Sequence, residues 1–151
     1  GRGRYSMHLF ASLGEAALAA SDLDKARRFS DTCLDLAVRR RSPKYVVCGW
    51  RVRGELAAMR NDHDGAQQAL REALGRAEET GSPSARWRAQ AAAGRVHPGR
   101  GKPDAAHAAY GAGREVLQEL MRGVHDPRLR VALENDVAMR RLIDLGAPRS
   151  P

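Results

Sequence analysis

The chain has 151 residues, with 26 Lys+Arg against 18 Asp+Glu for a formal net charge of +8, and it holds 26 alanines but only seven aromatic side chains. That length supports one continuous core, while the surplus of Ala and Leu argues against an all-β sandwich or barrel, whose pleated faces need β-branched and aromatic residues. No apolar run approaches the roughly 18 residues of a membrane helix, and the Arg-rich start lacks the apolar stretch of an export signal. Cys33 and Cys48 are too few for a disulfide scaffold, so reduced thiols and a cytoplasmic location are expected.

The elements read as all-α in chain order. The chain opens Gly1-Arg2-Gly3-Arg4 without an initiator Met, as expected of a segment cut from a longer protein, and a helical pattern follows at once. SDLDKA (21–26) breaks it, with Asp22 as an N-cap, and a second helix carries the stripe Ala26, Phe29, Cys33, Leu34, Ala37. Ser42-Pro43 starts the third helix, the Ser oxygen capping free N–H groups and Pro occupying the first turn. NDHDGA (61–66) breaks the third, with Asp62 as N-cap, before the stripe Ala66, Leu70, Ala73, Leu74, Ala77. Ser82-Pro83 starts the fifth helix, GKPDAA (101–106) separates it from Ala106, Tyr110, Gly113, Val116, Leu117 and Leu120, and Asp126-Pro127 opens one last helix over 126–146. Leu129, Leu133, Val137 and Leu142 fall on one side of that helix, and 147–151 is expected to be a disordered tail.

A shift of 40 residues superposes Gly14, Gly54 and Gly94, then Asp24, Asp64 and Asp104, then Ala26, Ala66 and Ala106, and it lays Ser42-Pro43 on Ser82-Pro83. Each unit is therefore two antiparallel helices, over about 5–41, 43–81 and 83–123, within a single domain of 1–146. A mid-helix Gly costs about 1 kcal/mol and wants a packing reason, which the crossing of two close helices supplies. Leu13-Gly14, an Ala twelve residues after each Gly, and a bulky residue four further on at Leu70 and Tyr110 resemble the tetratricopeptide repeat. The period is 40 rather than 34, similar to the longer repeats of large bacterial signalling ATPases and helix-turn-helix regulators. The resemblance implies an α-solenoid of three helix pairs plus a C-terminal capping helix, because a repeat array must close its last apolar face.

No catalytic constellation stands out. GRGKP (99–103) fails as a phosphate loop, since Val96 stands where the first Gly is required and Pro103 where the magnesium-binding hydroxyl belongs. His8, His63, His97, His107 and His125 show no metal-ligand spacing, and no cofactor is expected. Cys48, near a helix start and close to Lys44 and Arg51, is the one thiol whose position could lower its pKa. Arg39-Arg40-Arg41 with Lys44 reads as the cationic end of a helix; Arg outnumbers Lys 23 to 3, which points to a GC-rich genome, and no basic stripe is interleaved with aromatics for stacking on nucleic acid.

What is left is the face made by the first helix of each pair. One position after each Gly lie Glu15, Glu55 and Arg95; three before lie Ala11, Arg51 and Ala91; His8, Cys48 and Arg88 make a third row. Pro98-Gly99 is expected to end the fifth helix a turn early and open the groove there. The Asn-and-Lys clamp by which some tetratricopeptide proteins hold a terminal carboxylate is missing. The leading expectation is a non-enzymatic protein–protein interaction scaffold from a bacterial regulator or signalling ATPase, binding a protein, a peptide or other domains of its parent chain through His8, Glu15, Arg51, Glu55, Arg88 and Arg95. An excised segment would strand its docking surface, which allows weak homodimers. The alternatives are a polyanion or nucleic-acid binder acting through the basic surface, and a small-molecule sensor with a pocket near Trp87, Arg88 and Arg95.

Overall fold

The computed structural model describes residues 2–96 and 103–149. Among these there are eight helices and no strand: α1 (Arg2–Ala19), α2 (Leu23–Arg39), α3 (Pro43–Met59), α4 (His63–Thr80), α5 (Pro83–Val96), α6 (Pro103–Arg122), α7 (Pro127–Glu134) and α8 (Val137–Leu145). The all-α reading holds, and no helix among the described residues is long and apolar enough to cross a membrane. Pro98, Gly99 and the GRGK stretch lie outside the described residues, as do His97 and positions 150–151. α5 is described as far as Val96, so the expected early end at Pro98-Gly99 lies outside the described residues.

Successive helices from α1 to α6 pack on one another, and α3 also touches α1 and α5. The contacts fix the directions. Gly14 lies against Ala26 and Phe29 while the Cys33 thiol reaches the Met7 carbonyl, so α1 and α2 run antiparallel. Glu15 meets Arg51 and Glu55 meets Arg95, so α1, α3 and α5 run parallel in one layer.

The turns repeat every 20 residues. Ser21, Arg41, Asn61 and Gly81 all take left-handed φ, of 58°, 52°, 62° and 64°. At the first three the next residue's N–H bonds back five positions, Asp22 to Ala17, Ser42 to Ala37 and Asp62 to Ala57, each at 2.9 Å, which closes the open carbonyls of the preceding helix. At the fourth, the Thr80 hydroxyl donates to the Ala77 carbonyl at 2.8 Å instead. Asp22 and Asp62 then cap the following helices through Lys25 N–H and Gly65 N–H. Ser42 makes no such bond, contrary to expectation, and Pro43 alone marks that helix start.

The glycines sit where the pairs cross, but not equivalently. A methyl built on Gly54 would stand 2.6 Å from Leu70 Cγ, and one on Gly94 would collide with the Tyr110 ring. On Gly14 its nearest neighbour would be the Ser30 nitrogen at 3.5 Å, because Ser30 occupies the place that Leu70 and Tyr110 fill in the later pairs.

The expected single helix over 126–146 is in fact two. Asn135 ends α7 and Asp136 starts α8, its carboxylate accepting from Met139 N–H at 2.9 Å. After the bend Met139 and Leu142 are buried with Val116 and Leu117, whereas Leu129 and Val137, both expected on the packed side, are exposed. Gly146 brings the end of α8 onto the Tyr110 backbone, leaving no room for a Cβ. After it Ala147 N–H bonds only to Asp144 O, and no helix continues through 149.

Two outcomes test this packing by thermal or denaturant unfolding. Gly14→Ala should stabilise by about 0.5–1 kcal/mol, while Gly54→Ala should destabilise by about 1–3 kcal/mol as Leu70 is pushed out of its rotamer. Arg41→Gly should stabilise by about 0.5–1 kcal/mol, the left-handed strain removed less the added freedom of the unfolded chain.

Candidate functional site

The outer face of α1, α3 and α5 carries a groove of about 180 Å³. His8, Ser12 and Glu15 come from α1, Lys44, Tyr45, Cys48 and Arg51 from α3, and Ser84 and Arg88 from α5. These helices supply it because their apolar sides face α2, α4 and α6, leaving the polar residues of each at the same height.

Arg51 lies under the groove floor, 7% exposed, with Nη2 donating to Glu15 Oε1 and to the Cys48 sulfur at 3.6 Å. The Cys48 thiol in turn donates to Glu15 Oε1 at 3.7 Å. Burial works to lower the Arg51 pKa, but the negative groups facing it, Cys48 when ionised, Glu15 and Glu55, more than reverse this, so the guanidinium stays charged. Burial pushes Glu15 up; the Arg51 charge and its hydrogen bond outweigh that, and with help from Arg88 hold the carboxyl below its ordinary value. Cys48 goes the other way from expectation. Burial and the adjacent Glu15 raise its pKa despite Arg51, so at neutral pH it is a thiol. Cys33, behind it in the core, is pushed up to about 12 by the same loss of solvent.

Around the rim, the Tyr45 hydroxyl meets His8 Nδ1 at 3.4 Å, Lys44 stands over the Tyr45 ring at 5.5 Å, and the Arg88 guanidinium lies over the Trp87 ring at 4.6 Å. Lys44, Arg51 and Arg88 outnumber the single carboxylate, so the groove is cationic with its mouth open to water. Among the described residues no three His, Cys, Asp or Glu side chains gather as a metal-ligand set.

No protein family, curated protein or solved structure matches the chain. The site's meaning therefore rests on its own geometry.

Of the six residues singled out from spacing, His8, Glu15, Arg51 and Arg88 converge in this groove. Glu55 and Arg95 form a separate ion pair between α3 and α5, with Arg95 facing a second cavity. The row Ala11, Arg51, Ala91 and the alternative pocket near Trp87, Arg88 and Arg95 each lose a member. Ala91 is buried against Trp87, and Trp87, at 3% exposed, belongs to the core and that second cavity while only Arg88 reaches the groove. Lys44, read from spacing only as part of the basic run, and Tyr45 also line the groove, one turn nearer the helix start than Cys48. The basic run is partly neutralised where it begins, Arg39 being paired with Asp35, and Arg40 is the end-cap residue of α2.

The Arg51–Glu15 pair gives a pH signature. Because the Glu15 pKa is lowered in the folded chain, its stabilisation is present above the ordinary glutamate range and is lost as pH falls through it. Glu15→Gln should cost about 1–2 kcal/mol at neutral pH, the low end for orphaning a buried cation since Glu15 is itself 40% exposed. The variant should also lose part of the wild-type acid-side decline in melting temperature, which calorimetry between neutral and acid pH reads directly.

Proposed function

We propose that this chain is a non-enzymatic protein–protein interaction scaffold, a tetratricopeptide-like α-solenoid of three helix pairs with a two-helix terminal cap, working in the cytoplasm as part of a larger regulator or signalling ATPase. Its groove across α1, α3 and α5 takes an acidic segment of a partner protein or of another domain of the parent chain. The observation that carries this reading is the convergence of side chains from three parallel helices on one open, net-cationic groove. The 20-residue recurrence of left-handed turns and alanine carbonyl closures supports the repeat architecture. The Cys48 thiol, kept protonated by burial and Glu15, favours recognition over nucleophilic chemistry in the groove. The exposed Leu129, Val131 and Val137 at the far end are the surface through which weak homodimers would form.

Fluorescence anisotropy with labelled peptides graded in Asp/Glu content tests the groove. Acidic peptides should bind at low ionic strength, and a Lys44→Glu/Arg88→Glu double variant should weaken them about tenfold. Absence of acidic-peptide binding, or binding indifferent to that variant, overturns the reading. Binding to random duplex that instead depends on Arg39, Arg40 and Arg41 would support the polyanion alternative.

A further inference from the structure

A second cavity, of about 340 Å³, is lined by α5, α6 and α8. Its walls are Trp87, Ala91, Tyr110, Ala138 and Leu142. Val137 and Leu145 also border it, 80% and 41% exposed, two large apolar side chains left standing in water beside an apolar space. Its size falls at the lower end of small-molecule sites.

Two arginines bear on what fits there. Arg95 and Arg141 both border the cavity. Arg95 is neutralised by Glu55, whereas among the described residues no carboxylate reaches Arg141, so the cavity carries one uncompensated positive charge.

We infer that this cavity binds a small monocarboxylate with an apolar body, an alkyl or arylalkyl acid. The hydrocarbon lies along Trp87, Ala91 and Leu142 and covers Val137 and Leu145, and the carboxylate pairs with Arg141. A dianion would exceed the charge available, and a neutral alcohol would leave Arg141 unpaired. The site is separate from the groove proposed for acidic segments and does not depend on that proposal.

The chain has two tryptophans, so Trp50→Phe makes Trp87 the sole emitter. In that background octanoate should change Trp87 emission saturably, with 1-octanol about tenfold weaker and Arg141→Gln weakening octanoate about tenfold, the scale of a lost charge-assisted contact. Ala138→Phe, which fills the cavity, should abolish the octanoate response while keeping wild-type far-UV dichroism. Lys44→Glu/Arg88→Glu should leave octanoate binding unchanged, which separates the failure of this site from failure of the groove. The proposal is overturned by no saturable response to octanoate, by equal affinity for octanol, by indifference to Arg141→Gln, by tight octanoate binding in a folded Ala138→Phe variant, or by tighter binding of a Leu-terminated tripeptide than of octanoate.

Discussion

The structure depends on how closely two helices of a pair can approach. With seven aromatics in 151 residues there is little bulk to fill wide gaps, so the core is made by bringing backbones together. Ala26, Ala37, Ala73, Ala89 and Ala92 are entirely shielded from solvent, and Gly54 and Gly94 admit Leu70 and Tyr110 at distances where no Cβ would fit. Many short contacts at small residues replace a few large ones, and dispersion rewards this because each close pair of atoms counts. The cost is sensitivity: a methyl at the crossing has nowhere to go.

Close pairing needs turns that reverse the chain in few residues. The left-handed residue at 21, 41, 61 and 81 does this, and three of the four are not glycine, so the helix ends hold some strain in return for closing their carbonyls at once. Asp22, Asp62, Asp126 and Asp136 then restart the chain by capping the next helix. Equal turn lengths keep α1, α3 and α5 at the same height, which is what lets Glu15 find Arg51 and Glu55 find Arg95.

Those two ion pairs lead to different surroundings. Arg51 is held beneath an open groove, its charge kept by Glu15 and enlarged by Lys44 and Arg88 at the rim. Arg95 borders an apolar cavity closed by α8, where among the described residues no carboxylate meets Arg141. One face is polar and wet, the other apolar and partly enclosed, and the bend at Asn135–Asp136 creates the second by turning α8 back onto α6.

The sequence by itself determined the helices, their starts and the small residues at the crossings, because stripe periodicity, Asp and Ser-Pro caps, and the cost of a mid-helix Gly are local properties. It also held the 20-residue spacing of Ala17, Ala37, Ala57 and Ala77 and the Asn-Asp signal at 135–136, which mark the turns and the final bend. It placed Glu15, Arg51 and Arg88 on one face but not in one constellation. Tertiary structure decided that Arg51 is buried and bonded to Glu15, that Trp87 turns into the core while Arg88 turns to the groove, that Cys48 stays a thiol, and that α8 roofs a cavity beside Arg141. A helix's apolar stripe says which side faces inward without saying which neighbour it meets, and where a long charged side chain ends is set by partners some 36 or 40 residues away.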